Sequence, residues 1–467
     1  MSRAHVTLPV SMADPADEPA AAEKPVRSSA KAPTARPLLR RILRSLTRPS
    51  TPDAAAGEKA AGVIALCRAL LSERGEVSGA RLATEALAAY HSMDEAARDA
   101  FFARLAEEFD VNPDAITAAA DAYRANHALP NLLALQSAVE SPRQELFRRF
   151  NLAPRGTAAL VEMRLALARG LAAHPERARV DADMSQLFRA WFNGGFLSLQ
   201  QIDWRSSALV LERLIHYEAV HQIQGWRDLR RRLEADRRCY AFFHPRLPDE
   251  PLIFIEVALT RGMSANVQPL LDPDSPVVDP ATADCATFYS ITNCQEGLRG
   301  VSFGNLLIKQ VVEDLGRALP RVRTFATISP IPGFSEWLRK SGDSPLASHK
   351  LPELERLLAD QDRPGPREAP AISNGLRHLL QRACAQYLLN AKRGRAPADA
   401  VARFHLANGA RIERLNWMSD TSEAGMRRSL GLTVNYLYRL ADVERNHEMY
   451  AKDFRVAASS AFRRLAE

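Results

Sequence analysis

Leu252-Ile-Phe-Ile-Glu-Val-Ala-Leu259 decides the fold class. Apart from Glu256 the stretch is wholly apolar, short, and rich in residues that suit a pleated strand covered on both faces. Cys239–Phe243 ahead of it has the same character, and the Pro-rich turn Pro245–Pro251 joins the two as a hairpin. Further on, Thr287–Thr292 and Thr324–Ser329 read as strands with a helix, Asn305–Leu315, between them. That order is a βαβ crossover set into an antiparallel-rich sheet. Helices follow over Leu376–Ala391 and Ala398–Leu406, a strand over Arg411–Met418, and helices over Ser422–Leu430 and Val434–Lys452. The class is α+β rather than a doubly wound sheet.

The chain upstream has a different texture. Residues 58–180 read as an all-helical bundle: Ile64, Cys67, Leu70 and Leu71 form an apolar stripe at helical spacing. Ser92-Met-Asp-Glu95 reads as a capping box for a helix burying Phe101, Phe102, Leu105 and Phe109, and Asn112-Pro113 and Ser141-Pro142 as further helix starts. Nothing there looks reactive, so the bundle reads as a packing or assembly domain. Residues 1–57, rich in Ala, Pro and Ser, read as a disordered basic tail. Its Arg-rich part, Ala32–Ser50, resembles a transit peptide, but the acidic stretch Asp14 to Glu23 ahead of it argues against one. Residues 181–467 then read as a second domain, the one that carries the strands.

The 467 residues carry a net charge of +7, which suits an anionic small ligand as well as nucleic acid. The basic stretch Arg227 to Arg238 is broken by leucines and acids and reads as a solvated helix face, not a nucleic-acid contact. The five cysteines form no CxxC pair, so neither a zinc site nor a disulfide framework is expected, and a reducing cytoplasm is the simplest compartment. No apolar run is long enough to span a membrane. The histidines lie on separate elements, and no metal is expected.

Three segments carry chemistry. Arg299-Gly-Val-Ser-Phe-Gly-Asn305 links a strand to a helix, where glycines and free backbone N–H groups suit a phosphate. It resembles the pyrophosphate loop of GNAT-type acyltransferases: Arg299 and Gly304 match, and Ser302 replaces the usual middle glycine. Ser329-Pro-Ile-Pro-Gly-Phe334 places a serine at the end of a strand with a rigid exit. Phe404-His405-Leu-Ala-Asn408-Gly409 places a histidine at a helix end before a turn. Read alone, each of the last two is ordinary punctuation or packing. Tyr438, read within the final long helix, is a packing residue or a hydroxyl donor.

Taken in order, Phe192–Gly195, Glu218–His221, Arg237–Tyr240, Glu250–Leu259, Phe288–Ile291, Gly297–Val301, Ser329–Phe334, Phe404–Ala410, Asn416–Met418 and Asn435–Tyr438 resemble the malonyl-CoA decarboxylase family. The resemblance implies a helical N-terminal domain followed by a GNAT-like mixed α/β domain, a homotetramer (a dimer of dimers) built through the helices, and malonyl-CoA as substrate. It implies no cofactor. It places the catalytic serine, histidine and supporting tyrosine on Ser329, His405 and Tyr438, and CoA contacts on Arg299, Gly300, Val301, Ser302, Phe303, Gly304, Asn305, Ser290 and Asn408. An acidic loop residue of some members falls on Ser302. Two other functions share the same loop: an acyltransferase, which needs an acceptor cleft, and a CoA-binding scaffold, which makes no acetyl-CoA.

Overall fold

The computed structural model describes residues 52–301, 307–340, 352–359 and 372–467. Ser302, Phe303, Gly304 and Asn305 of the expected phosphate loop lie outside them. The N-terminal part is helical: α1 (Pro52–Ser72), α2 (Glu76–His91), α3 (Glu95–Glu108), α4 (Pro113–Ala125), α5 (Leu129–Val139), α6 (Pro142–Leu152), α7 (Gly156–Gly170) and α8 (Ala178–Trp191). Helix α1 begins at Pro52, inside the expected tail. Ile64, Cys67 and Leu70 are buried with Phe101, Phe102, Leu105 and Phe109, as the apolar spacing requires, and Leu71 packs at the margin. Two helix starts differ from expectation. Asp94, not Ser92, caps α3, because its carboxylate accepts the Ala97 N–H at 2.9 Å. Ser141 leaves its helix end uncapped and donates to Asp183 instead, at 2.8 Å.

The strands are β1 (Ser198–Ile202), β2 (Arg237–His244), β3 (Leu247–Thr260), β4 (Cys285–Asn293), β5 (Thr324–Thr327) and β6 (Ser329–Pro330). After these come a small separate pair, β7 (Lys392–Arg393) and β8 (Ala396–Pro397), then β9 (Arg411–Asn416) and β10 (Thr433–Leu437). The main sheet runs β1-β2-β3-β4-β5-β10, with β10 continuing onto β6 and flanked by β9. Strand β3, which holds the opening apolar stretch, is central and buried on both faces. Strand β1 had no signal in the sequence; Ser198-Leu-Gln-Gln-Ile202 is a mostly exposed edge.

Among the described strands only β4 and β5 pair in parallel, joined by the crossover helix α11 (Leu307–Ala318). The class is therefore α+β, a helical N-terminal part followed by a mixed sheet. Parallel pairing stops at Phe288 opposite Thr327. Strand β4 bulges there, since Ser290 lies opposite Glu256 and Phe288 opposite Val257, and it then follows β3. The β5–β6 run turns to β10 instead, so the two strands part where Ser329 begins.

One expectation fails and another holds only in part. Val434 to Leu437 is strand, not helix; the final long helix begins only at Leu440. The alternating V-N-Y-L-Y pattern follows a turn with Leu430 and Gly431 at positive φ, which ends one helix and launches an extended chain. The basic stretch is a solvated face only in part: Arg227 and Arg230 are exposed, but its other arginines are largely withdrawn from solvent. Helices α9 (Ala208–Tyr217) and α10 (Trp226–Arg232) cover the sheet edge, and Arg231, Arg232 and Arg237 are buried. Arg232 donates to Asp228 and to Glu256 of β3, each at 2.8 Å, and Arg231 and Arg237 both reach Asp236 at 2.7 Å. The interspersed acids that suggested solvent are the counter-charges that permit burial.

Helix α12 (Ala400–Ala407) ends at Gly409, whose φ is +80° and whose Cβ, if present, would lie 2.2 Å from the Val443 carbonyl of α13 (Leu440–Asp453). Gly409→Ala is expected to destabilise the fold by more than about 2 kcal/mol in urea unfolding. A change within about 0.5 kcal/mol, the size of a neutral surface substitution, would contradict that packing.

Candidate active site

Ser329, His405 and Tyr438 come together as one buried hydrogen-bonded chain. The Ser329 hydroxyl lies 3.0 Å from His405 Nε2, and His405 Nδ1 lies 2.8 Å from the Tyr438 hydroxyl. All three side chains are almost wholly removed from solvent. Ser329 donates to Thr327 Oγ1 at 2.8 Å, two residues back on the same strand run, and Thr327 Oγ1 also accepts the Tyr436 N–H at 3.1 Å. With the serine proton so engaged, its lone pair faces Nε2. The network thereby assigns the ring proton to Nε2 and makes Tyr438 the donor to Nδ1.

The histidine is held from all sides. Asp399 caps α12 by accepting the Ala402 N–H at 2.8 Å. Asn408 closes the helix with its side chain on Phe404 O at 2.9 Å, and Asn446 and His447 of α13 donate to the carbonyls of Gly409 and Ala407. The imidazole stacks on Tyr436, centroids 4.4 Å apart and rings 25° from parallel. Asn435 fixes the last β5 carbonyl, Thr327 O, at 2.5 Å. Among the described residues no carboxylate touches the ring, and burial alone pushes the His405 pKa down to about 3. The imidazole is therefore neutral, unlike the histidine of a serine–histidine–aspartate triad, which an acid prepares to become charged.

A cavity of about 710 Å³ opens beside this chain. Arg299, Gly300 and Val301 line it, together with Asn293 at the end of β4 and Phe404 and Asn408 of the histidine's own helix. Ser329 and His405 do not line it themselves; Phe404, whose ring packs edge-on against the His405 imidazole, does. Among the expected ligand-binding residues, then, Arg299, Gly300, Val301 and Asn408 share one cavity, and Gly300 takes the left-handed conformation (φ +80°) that favours glycine. Ser290 does not join them. Its hydroxyl is spent on the buried Glu218 carboxylate at 2.8 and 2.9 Å, because the β4 bulge pairs it with the Glu256 side of the sheet.

Sequence reasoning missed Thr327 and Tyr436, which support the serine and the histidine. Thr327 carried a usable signal, since alternate residues of a strand share a face. Tyr436 became legible only once its segment was known to be extended.

Comparisons with known proteins identify the family. The family descriptions "Malonyl-CoA decarboxylase N-terminal domain" and "Malonyl-CoA decarboxylase C-terminal domain" match residues 109–192 and 195–467. The mitochondrial malonyl-CoA decarboxylase of Anser anser anser is 36% identical over 344 residues, 68% of each chain. That of Rattus norvegicus is 33% identical over 67% of this chain and 69% of its own. The crystal structures of malonyl-CoA decarboxylase from Rhodopseudomonas palustris and Agrobacterium vitis superpose with TM-scores of 0.81 and 0.80. Their identities are 48% and 47%, and each alignment covers 87% of this chain and 99% of theirs. With its C-terminal family match alone spanning more than half of its length, the chain belongs to the malonyl-CoA decarboxylase family of carboxy-lyases.

Proposed function

We propose that this chain converts malonyl-CoA to acetyl-CoA and carbon dioxide without a cofactor, using Ser329 and His405 as its reacting pair. The observation that carries the reading is the buried Ser329–His405–Tyr438 chain next to a cavity walled by Arg299 and Gly300. When the bond from Cα to the carboxylate breaks, its electron pair moves into the thioester carbonyl and leaves an enolate. The substrate itself is the electron sink, so the chemistry asks the protein only for orientation, an oxyanion donor and one proton.

A neutral imidazole suits that task. An N–H that stays on the ring across physiological pH is a donor matched to a forming enolate oxygen, and it has no charge to be neutralised by the substrate carboxylate. In this reading His405 Nε2–H stabilises the enolate and passes its proton to Cα as Nδ1 takes the Tyr438 proton, water resupplying the proton consumed, and Ser329 holds the carboxylate and relays the proton. Tyr438 keeps Nδ1 occupied, which fixes the tautomer.

The helical part is assigned to assembly, as a homotetramer. Helices α4 and α5 support this: neither buries a residue in the single chain, and Leu129, Leu133 and Val139 are exposed. A reducing, cytoplasmic setting fits the five cysteines, all unbridged and buried.

Replacing Ser329 or His405 by Ala is expected to cut turnover by about a hundredfold or more, read as carbon dioxide release from malonyl-CoA. Near-normal turnover in both variants contradicts the assignment. The depressed His405 pKa also has a stability consequence. Because the folded-state value (about 3) lies below the unfolded value (about 6.5), the contribution of a neutral His405 is complete above pH 6.5 and is lost as pH falls below it. His405→Gln should therefore lose about 2 kcal/mol less than the parent between pH 7 and pH 5 in urea unfolding. Equal losses would mean that His405 charges freely in the folded state. Leu133→Glu is expected to shift the assembly toward smaller species in light scattering, and an unchanged mass would remove α5 from the interface.

A further inference from the structure

We propose that Arg164, in helix α7 of the helical part, is a positioning residue for the acyl-CoA site, and that Arg169 of the same helix adds charge at its rim. The inference rests on the decarboxylase reading for the nature of the ligand. Its own evidence is the contact between α7 and the chain that leads into the phosphate loop.

Gly297 touches α7 backbone to backbone: a Cβ there would lie 2.1 Å from Val161 O. One turn along the helix, buried Arg164 reaches across with a single nitrogen, Nη1, to Gly297 O at 2.8 Å and Arg299 O at 3.0 Å. Its Nε donates to Asp181 of α8 at 2.8 Å, which anchors the guanidinium within the helical part. Only a rigid multi-donor fork can hold two carbonyls and a carboxylate at once.

The physical effect is on the loop's polarity. A carbonyl held by a cation is not free to turn into the cavity, where it would repel a phosphate. Pinning those of residues 297 and 299 leaves the turn at Gly300 (φ +80°) in one conformation, with Arg299 at the cavity wall. Arg169 and Leu165 of α7 line the same cavity. Arg169 is exposed, and with Arg299 it puts two cations where the nucleotide end of an acyl-CoA would lie. The helical part is thus a working wall of the site as well as an assembly module.

Steady-state decarboxylation of malonyl-CoA and of S-malonyl-N-acetylcysteamine, which lacks the nucleotide and its phosphates, separates this role from a purely structural one. Arg164→Gln is expected to raise KM for malonyl-CoA about tenfold with kcat changed less than about threefold, and kcat/KM for the short substrate less than about threefold. Arg169→Ala should raise KM for malonyl-CoA by about three- to tenfold with the same indifference of the short substrate. Equal losses on both substrates, or an unchanged KM for malonyl-CoA, overturn the proposal. Calorimetric binding of CoA itself reads the proposal independently of turnover: about tenfold weaker binding to Arg164→Gln supports it, and unchanged binding overturns it. Absence of malonyl-CoA turnover in the parent protein would instead count against the decarboxylase reading alone.

Discussion

A histidine kept out of water, with a hydroxyl on each ring nitrogen and no acid within reach among the described residues, is the constraint around which the C-terminal half is arranged. Burying a neutral imidazole is inexpensive only if both nitrogens find partners, and Ser329 and Tyr438 are those partners. Each of them needs a strand that ends in the right place. Ser329 opens β6, two residues past the end of β5, and Tyr438 follows the last residue of β10, which pairs with β5 and β6. The histidine needs a helix whose final turn is locked, and Asp399, Asn408 and the tight Gly409–Val443 approach lock it.

The same strand geometry makes room for a ligand. A sheet that stayed paired past Phe288 would leave Ser329 hydrogen-bonded into a continuous surface. The bulge in β4 and the turn of the β5–β6 run toward β10 part the strands instead. The chain after β4 then passes under α7, where Arg164 holds two of its carbonyls. Sheet, crossover and helical bundle therefore meet at one loop.

Much of this was legible in the residues. The apolar β3 stretch, the hairpin, the crossover and the buried aromatic face of α3 follow from periodicity, because there local pattern and tertiary burial agree. Ser329 and His405 were legible only as members of an ordered run of segments, since a Ser-Pro turn and a helix-end histidine have no local signature. Where reading failed, a distant partner decided the outcome. Arg231, Arg232 and Arg237 looked solvated because their acids looked like surface residues, and the network forms only in the fold. Arg164 bonds to carbonyls more than a hundred residues away, and backbone acceptors carry no sequence identity. Tyr438 was misplaced because a strand of five residues next to a long helix looks like that helix's first turns.

The claim on which the mechanism turns is that His405 remains neutral with its proton on Nε2. Nitrogen-15 imidazole shifts of His405, followed from pH 8 to pH 5, test it directly. The arrangement predicts one neutral tautomer throughout, with Nε2 protonated and Nδ1 accepting from Tyr438. A titration with an ordinary histidine midpoint near pH 6.5, or a proton residing on Nδ1, would contradict it.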